Sequence, residues 1–313
     1  MILEKPKFWD QKISIYSILL FPLTVFVLLF IFLKKMVIKP IKFKIPIICV
    51  GNIYVGGTGK TPVSILLANE LTKLGHKPVI LKKYYRSHRD EHDLIRANYS
   101  NLILDRDRMN GIKKAEKANY DAVILDDGFQ DYKINKDLNI ICFNENQLIG
   151  NGLVLPSGPL RENLKSLNNA HIILINGAKN IEFEKKILNI NRNIEIFYTT
   201  YNPINMEQFK NKKLLAVAAI ANPNNFFNLI KSHNLKIEKE LVYPDHYEFS
   251  EKEIKNIIHE AKINNYHIIM TEKDYFKFKS NEINSLNYLK ISLKVENYEK
   301  FIKKIKKIYD KKN

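Results

Sequence analysis

The chain has 313 residues, 45% hydrophobic and 27% charged, so it can bury a core and is not a disordered polypeptide. Its two cysteines, Cys49 and Cys142, sit in separate apolar runs, which excludes a disulfide scaffold and a zinc ribbon and suits a reducing compartment. The net charge of +17 is concentrated, with five lysines and no acid in residues 34–44 and seven lysines against Asp310 in residues 300–313. Positive charge at two ends suits an anionic membrane surface and argues against a nucleic-acid groove.

In chain order, Ile13–Leu33 comes first, 21 residues without a charge. As a helix it spans roughly 30 Å, about one hydrocarbon core. It exceeds the apolar region of a signal peptide, and Lys34-Lys35-Met36 follows in place of a small-residue cleavage site, so it reads as an uncleaved anchor. Pro22 is expected to kink this helix or break it into a re-entrant hairpin, which leaves spanning and lying in one leaflet both open. The lysines after the segment place the rest of the chain on the cytoplasmic side.

From residue 45 the pattern changes. Short β-branched runs at Ile45–Val50, Pro78–Leu81, Asn101–Leu104, Ala122–Leu125, Leu138–Phe143 and His171–Ile175 alternate with longer stretches of helical spacing, such as Thr61–Leu74 closed by Gly75. Runs buried on both faces and alternating with helices predict a parallel sheet between helical layers. The polar stretch Thr199–Lys213 reads as a connector. Beyond it, strands at Leu214–Ile220 and Tyr266–Met270 and helices near Asn224–Ser232, Ser250–Ile263 and Tyr298–Tyr309 predict a smaller α/β unit.

The most informative motif is Gly51-Asn-Ile-Tyr-Val-Gly-Gly-Thr-Gly-Lys-Thr61, between a predicted strand and a predicted helix. Gly56, Gly57 and Gly59 allow backbone N–H groups to turn toward phosphate oxygens, with Tyr54, Val55 and Thr58 completing the loop. Lys60 can reach the outer phosphates, and the Thr61 hydroxyl can ligate Mg²⁺ at the start of the following helix. Tyr54 stands where the usual pattern has its first glycine. Asp126-Asp127 ends the run AVIL, at the carboxyl edge of the sheet, where a carboxylate of a P-loop protein holds Mg²⁺. Arg161 is a candidate for neutralising phosphate charge, because a guanidinium spans two oxygens. The order of residues in Thr271-Glu-Lys-Asp274 does not fit a guanine-specificity motif, so nothing argues for a GTPase. The predicted architecture is an α/β fold: an N-terminal membrane helix (1–40), a three-layer P-loop NTPase-like domain (41–200) and a smaller C-terminal α/β domain (201–313).

Taken together, GNIYVGGTGKTP, DDGFQ (Asp126–Gln130), LPSGPLRE (Leu155–Glu162), IANPNNFF (Ile220–Phe227), DHYEFS (Asp245–Ser250) and TEKD (Thr271–Asp274) resemble the tetraacyldisaccharide 4′-kinase family. The resemblance runs from the anchor to about residue 280. It implies ATP- and Mg²⁺-dependent phosphorylation of the 4′-hydroxyl of a tetraacylated glucosamine disaccharide 1-phosphate, giving lipid IVA, by a monotopic inner-membrane enzyme facing the cytoplasm. It also implies that Asp90 accepts the hydroxyl proton with help from His246, and that Glu91 is a further acid of the metal site. Closure of the smaller domain is expected to bring His246 toward Asp90. The chain departs from the family at Lys82-Lys-Tyr-Tyr85, where a Ser-Arg-Gly-Tyr-like motif is usual, and at Asp131, where a histidine is common. Phe301, Ile302, Ile305, Ile308 and Tyr309 fall near helical spacing among lysines, which suits an interfacial helix or a closing helix packed on the second domain. A membrane-tethered ATPase serving a protein partner and a non-catalytic nucleotide-binding relative are the rival readings.

Overall fold

The first helix, α1 (Ile15–Val37), is continuous in the computed structural model, which describes residues 5–278 and 286–310. Ser14 starts it by accepting the Tyr16 N–H. Pro22 does not break it into a hairpin, which excludes one of the two expected outcomes: the proline removes one donor, and the surrounding turns carry the helix past it. Ser17, Thr24 and Lys35 lie on one stripe of it. Asn151 donates to the Ser17 hydroxyl (3.2 Å), the Thr24 hydroxyl donates to the Val154 carbonyl (3.1 Å), and Lys35 pairs with Glu162 (2.5 Å). Residues 17, 24, 28 and 35 follow helical spacing, with Val27 and Leu28 packed on the core between the polar contacts. The other faces are apolar and open, Phe26 and Phe30 being 69% and 67% exposed.

The strands that follow are β1 (Ile47–Gly51), β2 (Pro78–Lys83), β3 (Leu102–Asp105), β4 (Ala122–Asp126), β5 (Leu138–Asn144), β6 (Ile172–Asn176) and β7 (Glu195–Pro203). Four helices alternate with them, α2 (Lys60–Lys73), α3 (Arg89–Asn98), α4 (Arg108–Lys117) and α5 (Ile181–Ile190). Next come β8 (Lys213–Ala218), α6 (Pro223–Ser232), β9 (Lys236–Val242), α7 (Glu251–Ile263), β10 (His267–Thr271) and the single turn α8 (Glu272–Tyr275). The described chain closes with β11 (Asn287–Leu289), β12 (Ile291–Val295) and α9 (Tyr298–Asp310).

The larger sheet has the order β12-β7-β6-β5-β1-β4-β2-β3, and the smaller β11-β10-β8-β9. The neighbours from β3 through β7 pair in parallel, as do all neighbours in the smaller sheet. β1, β4 and β5 are buried along their whole length, as apolar runs covered on both faces require. α7 is started by a capping box, in which Ser250 and Glu253 satisfy each other's backbone N–H groups.

Two compact units result, and they divide the chain differently from the expected ranges. One contains Lys5–Tyr84, Asn101–Thr200 and Leu293–Asn313; the other contains Tyr85–Ser100 and Tyr201–Ser292. Segment 85–100 thus leaves the phosphate-loop domain, and α9 joins it. Phe301, Ile302, Ile305 and Ile308 are buried, Phe301 packs edge-on to Phe197, and Lys300 and Lys304 pair with Glu195. α9 is therefore a closing helix of the first unit, neither an interfacial helix nor one packed on the second domain; the side chain of Tyr309 lies outside the described residues.

Several elements were not anticipated. β7 begins before the supposed connector and runs into it. β9 is an edge strand whose charged sequence, KIEKELV, stays largely exposed, so no apolar run marks it.

Candidate active site

Because β1 and β4 are parallel neighbours with Val50 opposite Asp126, the loop leaving β1 and the aspartates ending β4 emerge at one edge. Gly56 and Gly59 hold the loop at φ of 119° and 85°, values that glycine adopts without steric cost. Asn52 braces it from inside, donating to the Gly56 carbonyl (3.2 Å) and the Thr58 hydroxyl (3.0 Å), while Gln130 donates to the Asn52 carbonyl (2.9 Å). A Cβ at Gly51 would stand 2.5 Å from Phe129 Cβ, so the Asp-Asp-Gly-Phe turn packs on this strand at a distance only glycine permits. The loop delivers Lys60 and Thr61 to the first turn of α2, whose N–H groups have no intrahelical partner.

Tyr54 and Val55 serve differently from the other loop residues. The Tyr54 ring is fully buried, and the Val55 N–H is spent on the Pro159 carbonyl (2.9 Å). They anchor the loop to the 153–161 segment.

Asp126 is fully buried and receives the Thr61 hydroxyl (3.0 Å), the Ser64 hydroxyl (3.3 Å) and the Lys82 ammonium (2.6 Å). Asp127 takes a left-handed φ of 59°, uncommon for a residue with a side chain. Arg161 Nη1 donates to both its oxygens (2.9 and 3.1 Å), Lys60 lies 3.7 Å away, and Arg108 holds its carbonyl (2.6 Å). Burial raises the Asp127 carboxyl, but Lys60, Arg161 and Lys82 outweigh it and bring it down to about 2. Asp131 stands 3.5 Å from Arg108.

The second cluster lies wholly in the smaller unit. Asp90, in the first turn of α3, is 5% exposed, and His246 Nδ1 stands 3.1 and 3.2 Å from its two oxygens. A carboxylate only accepts, so this nitrogen carries the proton and Nε2 of a neutral ring is left as a base. His246 adopts a φ of 59°, with its N–H donating to Asp245 (3.0 Å), and its ring stacks on His88 at 4.4 Å. Lys273 and Lys277 each lie 3.6 Å from Asp90. Lys273 also pairs with Asp245 (3.0 Å) and Glu91 (3.3 Å), and Lys277 with Asp274 (2.8 Å). Burial lowers Lys273, but Glu91, Asp245 and Asp90 raise it by more.

Asp90 and His246 therefore belong to one unit and already touch, so no closure is needed to bring them together. Glu91, expected as a metal acid, is held by Lys273 in this cluster. Lys273 and Lys277 were missed as site residues, although TEKD was in view; their spacing of four along a helical turn was the available signal. Lys82 stood out in the sequence only as a departure from the family motif, and nothing in the sequence assigned Arg108 a role.

Burial raises the Asp90 carboxyl, while the His246 hydrogen bond and the Lys273 and Lys277 charges bring it to about 2. A carboxyl depressed in the folded state stabilises above its unfolded value, near 3.9, and that stabilisation is lost as pH falls through about 2. We expect Asp90→Asn to cost roughly 2 kcal/mol near neutrality, with the gap to the parent chain closing between about pH 4 and pH 2 in denaturant titrations.

Residues 16–310 match the model of the LpxK family, tetraacyldisaccharide-1-P 4'-kinase. The chain belongs to this family. It is 40% identical to the tetraacyldisaccharide 4'-kinase of Pelagibacter ubique (strain HTCC1062), covering 99% of this chain and 100% of the relative. To the enzyme of that name from Rickettsia bellii (strain OSU 85-389) it is 31% identical, covering 96% and 98%. The fold is also that of LpxK from Aquifex aeolicus, crystallised with ATP, at a TM-score of 0.72 and 23% identity, covering 93% of this chain and 99% of that one. Family membership thus accounts for the parallel-sheet architecture and for the motif set spread along the chain.

Proposed function

We propose that the protein transfers the γ-phosphoryl group of ATP to the 4′-hydroxyl of a tetraacylated glucosamine disaccharide 1-phosphate, giving lipid IVA. Family membership supports the substrate class. The observation that carries the chemistry is the assembled Asp90–His246 pair, which provides an acceptor for an alcohol proton. In the reaction the hydroxyl oxygen forms a bond to Pγ, the bond from Pγ to the β,γ-bridging oxygen breaks, and the hydroxyl proton passes to the pair. Asp90, held near 2, is a weak base alone; hydrogen-bonded to Nδ1, it orients the imidazole and stabilises the cation formed when Nε2 takes the proton. The Gly56–Thr61 backbone and Lys60 hold the phosphates, and Arg161 offers a guanidinium as charge moves onto the leaving oxygens.

Among the described residues no group of three or more His, Cys, Asp or Glu is arranged to hold a metal ion. Mg²⁺ nevertheless fits, because it needs only one or two carboxylates beside nucleotide phosphates. The Thr61 hydroxyl and the Asp126 carboxylate, hard oxygen donors 3.0 Å apart, would hold it, with Asp127 next in line. When bound, Mg²⁺ neutralises phosphate charge.

α1 is long and apolar enough to cross a membrane. Its Ser17–Thr24–Lys35 stripe ties both ends to the body of the same unit, which favours a helix lying in one leaflet of the inner membrane with the catalytic units in the cytoplasm. Replacing the exposed Phe26 and Phe30 with Asp is expected to lower partition into anionic phospholipid vesicles by at least about 100-fold. Flotation assays check this.

The deciding experiment is transfer of label from γ-labelled ATP in detergent, with Mg²⁺ and tetraacyldisaccharide 1-phosphate. Label in the lipid that disappears in Lys60→Ala is the expected result; label released only as free phosphate would favour the tethered ATPase.

A further inference from the structure

Lys82 is the last but one residue of β2, directly opposite Asp126 in the parallel register of β2 and β4. It is 5% exposed, and its ammonium lies 2.6 Å from the same Asp126 oxygen that receives the Thr61 hydroxyl. Ser64 approaches the other oxygen. Of the two oxygens that suit a divalent cation, Thr61 Oγ1 and Asp126 Oδ2, the second thus already has a protein cation beside it. The local charge count adds to this. Lys60, Lys82 and Arg161 face the carboxylates of Asp126 and Asp127, so the phosphate site holds one positive charge in excess before any metal binds. Burying a lysine is costly unless a carboxylate compensates it. The pair is therefore held tightly, and it stands where an anionic nucleotide is to be received.

We propose that Lys82 is a tethered countercharge of the nucleotide site, which lets the loop bind ATP phosphates without a metal and makes Mg²⁺ compete with the Lys82–Asp126 ion pair. The proposal rests on the reading of the site as an ATP site. β2 and β4 hold the lysine stem in place while its flexible end can turn from Asp126 toward a bound phosphate. Unlike a metal ion, it cannot leave with the product.

The test is binding of a fluorescent ATP analogue to the full chain in detergent, with EDTA or with excess Mg²⁺. The parent chain is expected to bind in EDTA within about tenfold of its affinity in Mg²⁺, since a charge-assisted contact to phosphate takes over part of the metal's role. Lys82→Met should weaken binding in EDTA by about 10- to 100-fold while leaving binding in Mg²⁺ unchanged or tighter; Lys82→Arg should keep metal-free binding. If thermal melting shows Lys82→Met to be unfolded, Lys82→Gln, whose amide still donates to Asp126, takes its place with the same expectation. Equal losses with and without Mg²⁺ would mean that the lysine only supports the fold, and would overturn the proposal. So would a parent chain that binds ATP in Mg²⁺ but not in EDTA, a result that leaves the kinase reading standing. Failure to bind ATP under both conditions would sink both.

Discussion

Asp90→Asn is expected to reduce kcat by about 10³-fold, within the range that loss of general acid–base catalysis produces. The KM for ATP should stay within about twofold, because the residue binds no part of the nucleotide in the mechanism proposed here. The substitution is chosen for its shape. An Asn carbonyl still accepts the His246 Nδ1–H, so the ring keeps the orientation set by its stack on His88 and by the strained backbone at 246. What disappears is the negative charge that stabilises the protonated imidazole. His246→Ala should fall to a similar rate, and the double variant no further than the worse single one, because residues that act as a unit are not additive. Additive losses in that cycle would show that the two side chains act separately, and the pair would then be only a structural contact.

Lys60→Ala is expected to lower kcat/KM for ATP by about 10²–10³-fold, the cost of losing one preorganised donor to a developing anion. Lys60 opens α2 at the end of the glycine loop, and its ammonium stands 3.7 Å from Asp127, close enough to be held and free enough to turn toward a phosphate. Removal leaves Asp127 with Arg161, so no carboxylate is stranded and thermal stability should change little. Steady-state kinetics with each substrate varied in turn checks the expectation. An equal rise in KM for the lipid would mean that the residue shapes the site and does not act on the nucleotide.

How much of this was legible beforehand depended on the range of the interaction. The glycine loop, its Lys-Thr end and the strand before it are contiguous, and their chemistry follows from residue type and spacing alone. The same holds for α1, an uninterrupted apolar segment, and for the aspartates that end the run AVIL. The motif set, read in order, was enough to identify the family. The pairing of Asp90 with His246 was expected only from the resemblance, since 156 positions separate them.

Other features depended on contacts that no local pattern encodes. The stretch Arg89-Asp-Glu-His-Asp93 is polar throughout, yet it begins α3 and buries Asp90 beside two lysines more than 180 positions further along the chain. Lys82 looked like a substitution in a motif until the strand order set β2 beside β4 and made it the partner of Asp126. Pro22 left a kinked helix and a broken one both open, and the helix continues through it.

The sequence by itself thus determined the family, the apolar α1 and the strands and helix around the glycine loop, because helix and strand periodicity and glycine chemistry act over a few residues. The tertiary structure alone decided which charges compensate one another and to which unit segments 85–100 and 293–310 belong. Strand order and burial set those partnerships, and a side chain's charge is given its role by the neighbours that exclude water from it.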